Sequence, residues 1–235
     1  MILEFLKVFL CLHLHFLFFA AITVLANKKF KLPAEIFRKS LHMIAVFSIL
    51  PIVLASGSWV ISALVAALFA AEAYIGTKFG NIEKNVAMKE RYAGEQQKSM
   101  LLLFATYIII IGVCWGLLGH QWAAVASVLA WGVGDALAAI IGKRFGKHKI
   151  QGKFIEGQKS MEGTLAMFVS AFITVLLVLF ALTAFPYWVC ILVTFWIALF
   201  ATLAELFSKN GRDTFFCPTS SMLGFVILIM VIGGI

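Results

Sequence analysis

Charge is scarce in this chain. Of its 235 residues 13% are charged and 63% hydrophobic, where an ordinary soluble domain carries about a quarter charged residues. So little polar surface cannot cover a water-soluble body of this length, which leaves a membrane-embedded one. Cysteine is equally sparse. Cys11, Cys114, Cys190 and Cys217 stand far apart without a CxxC spacing, so neither a disulfide framework nor a thiolate metal site is indicated. Three of them fall in apolar runs, where a thiol behaves as a small hydrophobe. The first apolar run does not read as a cleaved leader either. It is too long, and Lys28, Lys29 and Lys31 follow it rather than a small-residue cleavage site.

What is present is a series of oily segments. About 20 apolar residues cross the hydrocarbon core as a helix, and candidate spans fall at roughly 5–26, 41–55, 58–76, 100–118, 121–141, 162–184, 187–206 and 220–235. The expectation is an all-α integral membrane protein, a bundle of seven to eight transmembrane helices forming a single domain, 1–235. The second and last spans are short enough to be tilted, re-entrant or extended by their neighbours.

The connections alternate in charge. Segments 27–40, 77–99, 142–160 and 207–219 hold five, five, six and two Lys/Arg, while the turns near 56–57, 119–120 and 185–186 hold none. Basic loops stay cytoplasmic, so all four should face the cytoplasm and both termini the other side. The net charge of +8 is then mostly a topology signal, with attraction to anionic headgroups or a polyanionic substrate as a secondary effect. Basic residues split among loops argue against nucleic acid as a partner.

Acids are fewer, eleven in all. Glu35, Glu83, Glu90, Glu95 and Glu156 lie in basic loops, and Glu4 lies near the far terminus. The other five, Glu72, Asp135, Glu162, Glu205 and Asp213, all fall near the expected cytoplasmic face. A carboxylate in a span is costly and marks a functional site more often than not. Asp135 is the deepest, with no basic residue within two turns in sequence. For Glu162 or Glu205 alone, an interfacial acid neutralised by a nearby lysine explains as much.

Carboxylates at this depth suit Mg²⁺, which takes one or two of them plus phosphates and water. The glycines and lysines of 142–163 offer N–H groups and ammonium charge for phosphate. Ser160 can cap a helix beginning near Met161, with Glu162 in its first turn and Lys159 beside its N-terminus. Phosphoryl or nucleotidyl transfer at the membrane surface follows. A P-loop does not: Gly142–His148 is one residue short and lacks Ser/Thr after the lysine, Gly152–Ser160 is one too long, and neither follows a strand. The face Asp135, Ala138, Ala139, Gly142, Gly146 also has the plainer role of close helix packing.

Arg38 and His42 share a helical face beside Lys39 at the start of the second span, which suits either an interfacial anchor or phosphate binding. His13 and His15 have no partner in their own span and read as structural. His120 and Trp122 read as residues of the opposite interface. AAEAYIGTKFG (70–80) faintly echoes ALAAIIGKRFG (136–146), too briefly to make a repeat.

GDALAAIIGKRFGK (134–147) followed by KSMEGT (159–164) resembles the shared signature of CTP-dependent lipid kinases: the dolichol, phytol and farnesol kinases and the fungal diacylglycerol kinases. RKSLH (38–42) resembles their first motif, and AELFSKNGRDTFFCP (204–218) their Glu…Gly-x-Asp-Asn…Pro segment, in the same order along most of the chain. The Lys-Ser-x-Glu-Gly element is also similar to one in phosphatidate cytidylyltransferases, whose long C-terminal signature is absent.

The resemblance implies a multi-pass enzyme moving the γ-phosphate of CTP to a lipid hydroxyl. Asp135, Glu205 and Asp213 fall to the metal, with Asp135, Glu162 and Glu72 as catalytic candidates, Glu72 or Glu162 orienting the alcohol. Arg38, Lys39, His42, Gly142, Lys143, Gly146, Lys159, Ser160, Gly163 and Thr164 fall to nucleotide and phosphate. Thr214 departs from the pattern, standing where the family has Asn.

An isoprenoid alcohol is the favoured acceptor, diacylglycerol the alternative. The membrane would be the plasma membrane of a prokaryote, or the endoplasmic reticulum or an organelle membrane of a eukaryote. Rival readings are a cytidylyltransferase acting on a phospholipid, and a lipid or anion transporter, which the one-sided acids disfavour.

Overall fold

The computed structural model describes residues 1–79, 95–152, 155, 159–209 and 211–232. Among them the chain forms α1 (Ile2–Phe30), α2 (Ala34–Phe47), α3 (Ile49–Leu54), α4 (Trp59–Phe79) and α5 (Glu95–Ile110), the last prolonged by a π-helical stretch, Ile111–Leu117. There follow α6 (Gln121–Phe145), α7 (Met161–Leu182), α8 (Tyr187–Phe207) and α9 (Asp213–Ile232). Eight segments, with α2 and α3 counted as one, are long and apolar enough to cross a membrane. The described residues hold one isolated antiparallel bridge and no strand. Glu83, Glu90 and Glu156 lie outside the described residues, as do Lys84, Lys89, Arg91 and Lys153. The helices group into two compact units, Met1–Gly116 and Leu117–Ile235.

Two boundaries differ from the hydropathy reading by about two helical turns. The second span begins at Ala34 rather than 41 because its charges are accommodated within the helix: Arg38 pairs with Glu35 one turn back at 2.6 Å, and Lys39 is buried. The last begins at Asp213 rather than 220, so Asp213 is a helical residue and not part of a loop. The turn before it is made by Gly211 at φ 72, a left-handed conformation that suits glycine. Pro218 then lies inside the helix. It removes one backbone bond without ending α9.

In the first unit, the break between α2 and α3 organises its neighbours. Pro51 cannot donate to the carbonyl four residues back, and Ser48 folds its hydroxyl onto Ala45 O at 2.6 Å. The carbonyls around this break are met by other helices. His15 Nε2–H of α1 donates to Ile44 O (2.8 Å), and the buried Tyr107 hydroxyl of α5 lies between Ala45 O (2.9 Å) and Val46 O (3.0 Å). Ser62 of α4 donates to Ile52 O (2.8 Å). In hydrocarbon an unmet carbonyl has no water to turn to, so these contacts fix where α1, α4 and α5 pack. At the end of α1 remote from Lys28 and Lys29, Glu4 accepts from Gly57 N–H (2.7 Å).

The second unit is built on α6, the most extensively packed helix. Trp122, at the start of α6, is buried against Phe225 (4.8 Å between ring centroids) and Phe185 (5.4 Å). Toward its other end α6 lies against α7 through small residues. A Cβ built on Gly163 would stand 3.1 Å from Ala138 O and 3.3 Å from Gly142 Cα, and one on Gly134 would meet Met167 Sδ. The small-residue stripe of α6 is therefore a packing surface, as its spacing allows.

Replacing Gly163 by Leu should force α6 and α7 apart. Overpacking of this kind costs about 1–3 kcal/mol or more, read as a lower melting temperature of the purified protein in detergent. Gly76→Ala is the control: nothing lies within 4 Å of a Cβ at Gly76, and its melting temperature should not fall.

Candidate active site

The connection from α6 to α7 folds back on itself. Ile150 N–H donates to Lys159 O (3.0 Å) and Met161 N–H to His148 O (2.9 Å), flanking the bridge between Lys149 and Ser160. Ser160, in an extended conformation, caps α7 by accepting from Gly163 N–H at 3.2 Å. Gly146 ends α6 directly against it, where a Cβ would collide with the Ser160 side chain. Gly142, Gly146, Ser160 and Gly163 thus meet where the two helix ends are joined.

Glu162 closes this hairpin. Its carboxylate accepts from the N–H groups of Lys147 (3.1 Å) and His148 (3.2 Å), and lies 2.7 Å from His148 Nδ1. The α7 N-terminus favours a negative charge here, and the carboxylate binds down the chain leaving α6. Several donors expected for phosphate are therefore engaged: Met161 N–H by His148 O, Gly163 N–H by the Ser160 hydroxyl, and Thr164 N–H by Ser160 O (2.9 Å). His148 was not singled out by sequence, although it ends the segment rejected as a P-loop.

Lys159 leaves the hairpin toward the C-terminal end of α8. Its ammonium donates to Glu205 Oε1 at 2.6 Å and also to the Glu205 carbonyl. Both side chains are largely buried, 13% and 14% exposed. A cation at a helix C-terminus is favoured by the helix dipole, and here it also neutralises a carboxylate that would otherwise be stranded among apolar groups.

Three carboxylates expected to hold metal come from three helices: Asp135 from α6, Glu205 from α8 and Asp213 from α9. Cys217, four residues after Asp213 on α9, is buried. The Ser208 hydroxyl is 4.0 Å from its sulfur. No group of three His, Cys, Asp or Glu among the described residues is tight enough to enclose an ion. Thr214 is buried beside Asp213 in the first turn of α9. Next to this region, Ser208, Lys209, Arg212, Phe207 and Phe216 line an open cleft of ≈ 500 Å³.

Arg38, Lys39, His42 and Glu72 belong to the first unit. The first three lie on α2, and Glu72 on α4 is 3.0 Å from His13 Nε2. His13 thus has a partner from another helix, which no pattern local to α1 reveals.

The chain is similar to three curated proteins over part of its length. It is 47% identical over 79 residues to the dolichol kinase sec59 of Schizosaccharomyces pombe, 34% of this chain and 14% of that protein. It is 35% identical over 89 residues to the dolichol kinase of Saccharomyces cerevisiae, 38% and 16% of the two chains. It is 37% identical over 97 residues to the phytol kinase of a Synechocystis species, 41% and 39%. The matched stretches thus cover well under half of these relatives. No family model matches the chain, and no solved structure does.

The Lys159–Glu205 pair can be weighed by a double-mutant cycle. Lys159→Met leaves a buried carboxylate uncompensated and should cost about 3–5 kcal/mol. Adding Glu205→Gln should recover a substantial part. A double variant as unstable as the sum of the single ones would mean that the two groups do not interact.

Proposed function

We propose that the chain is a CTP-dependent lipid kinase that transfers the γ-phosphate of CTP to the hydroxyl of a membrane lipid alcohol, an isoprenoid alcohol before diacylglycerol. The carrying observation is the hairpin between α6 and α7, capped by Ser160 and closed by Glu162, from which Lys159 reaches Glu205; Asp135 and Asp213 are proposed to complete the site. The similarity to dolichol and phytol kinases gives that arrangement a chemistry.

In the reaction the alcohol oxygen bonds to the γ-phosphorus, the bond from that phosphorus to the β-phosphate oxygen breaks, and CDP leaves. The hydroxyl proton is lost to the surroundings. Such transfers depend on positioning and charge stabilisation rather than on covalent chemistry by the protein. Asp135 and Asp213 would hold Mg²⁺, with Glu205 as a further ligand; the ion would supply positive charge against the phosphate oxygens.

Lys159 and Lys143 would meet phosphate oxygens, as would Arg38, Lys39 and His42 of the first motif. Gly142, Gly146 and Gly163 let the backbones come close enough to form the hairpin, which Ser160, Thr164 and Glu162 hold. Glu162 is committed to the hairpin in this arrangement, which leaves Glu72 as the candidate to orient the alcohol. By the rule that basic loops stay cytoplasmic, the reacting face would lie on the cytoplasmic side, with the lipid tail between helices.

The test uses purified protein in detergent with γ-labelled CTP and Mg²⁺, offered phytol, farnesol, a long polyprenol and diacylglycerol. Label should appear in an isoprenoid alcohol and fall at least about a hundredfold in Asp135→Asn, the scale of a lost charge-stabilising group. Transfer of α-label to phosphatidate instead would identify a cytidylyltransferase, and no transfer of either label would sink the enzymatic reading.

A further inference from the structure

His13 and Glu72 face each other inside two apolar helices of the first unit. His13 Nδ1 lies 2.9 Å from Phe9 O. A carbonyl can only accept, so Nδ1 carries a hydrogen. On the other side Nε2 and Glu72 Oε2 are 3.0 Å apart, and both would be bare acceptors if the ring were neutral and the carboxylate charged. One proton must therefore lie between them. The pair is an imidazolium–carboxylate or an imidazole–carboxylic acid, neutral overall in either form, and this is how a histidine and an acid are tolerated within a span.

The surroundings of the dyad are apolar and open on one side. The Phe9 and Phe69 rings lie 4.2 and 5.2 Å from the imidazole, and Phe69 stacks on Phe16 at 4.7 Å. Yet each of the two side chains is 41% exposed. Their neighbours one turn away on the same helix faces are exposed too: Leu10 and Leu17 on α1, Leu68 and Ile75 on α4. His13 occupies Glu72 Oε2, and no protein donor among the described residues reaches Oε1. An acceptor oxygen thus opens onto a hydrocarbon-facing surface, where no bulk water serves it.

We propose that His13 and Glu72 form the site that holds the hydroxyl of a lipid alcohol. A lone O–H on a long apolar tail supplies the one donor that Oε1 lacks, and the leucines accept the tail. A phosphorylated lipid has lost that hydroxyl hydrogen and presents acceptor oxygens to an acceptor, so the same site discriminates acceptor from product. Glu72 touches the alcohol, and His13 is a positioning residue that fixes the carboxylate. That the alcohol is a kinase substrate rests on the function proposed above; the hydrogen-bonding argument does not.

The experiment photolabels the full-length protein in detergent with a C20 isoprenoid alcohol carrying a diazirine in its tail, alongside the methyl ether of the same probe. The alcohol should label peptides of α1 and α4, and the ether, which cannot donate, about tenfold less, the scale of one lost hydrogen bond. His13→Phe should cut labelling by a similar factor, while His13→Gln, which keeps an N–H toward Glu72, should stay close to wild type.

In the phosphate-transfer assay His13→Phe should raise the KM for the alcohol about tenfold, leaving kcat and the KM for CTP unchanged. Equal labelling by alcohol and ether, or labelling outside α1 and α4, overturns the proposal. So does a His13→Phe variant whose kcat and KM for CTP move together with the lipid KM, since that marks a merely structural role. If this variant fails to fold, the alcohol–ether comparison on the wild type decides alone. Hydroxyl-dependent labelling without phosphate transfer would keep this site and remove the kinase reading.

Discussion

The second unit depends on the backbone-to-backbone approach of α6 and α7. Gly142 and Gly163 meet with nothing between them, and Gly146 lies directly under Ser160. A side chain at Gly146 or Gly163 would open the seam, and with it the hairpin that brings Lys159 to Glu205. Without a hydrophobic driving force between helices in lipid, association rests on van der Waals fit and interhelical polar contacts. This seam uses both: glycines for the fit, and the Glu162 carboxylate on the amides of Lys147 and His148 for the polar lock.

The first unit solves a different problem. A helix broken near Ser48 leaves carbonyls that lipid cannot satisfy, and side chains from three other helices supply the donors. His15, Tyr107 and Ser62 each contribute one hydroxyl or imidazole. Those donors look unremarkable in sequence, each a single polar residue in an oily run. Their work becomes visible only once the carbonyls they reach are known, 29, 62 and 10 residues away in the chain.

Much of the architecture was legible because hydropathy is a local property. Eight apolar segments became eight segments of helix long and apolar enough to cross a membrane, and the largest errors fell at polar-flanked ends, Ala34 and Asp213, where Arg38 and Pro218 disguise helix as loop. The Ser160 cap was readable too, since a cap is specified within a few residues. Pairings between helices were not. That Glu162 turns back onto Lys147 and His148, that Lys159 neutralises Glu205, and that His13 meets Glu72 are consequences of packing. The division of labour among the acids was not legible either.

Charge in so apolar a chain has to be matched where it stands, and this constrains the role each acid can take. Glu205 is balanced by Lys159 and Glu162 by backbone donors and His148. Glu72 lies 3.0 Å from His13 Nε2. The pairing of Glu205 with Lys159 sets a condition on any phosphate site there: a polyphosphate that drew the ammonium away would leave a buried carboxylate uncompensated, and a divalent cation arriving with that polyphosphate would restore the balance.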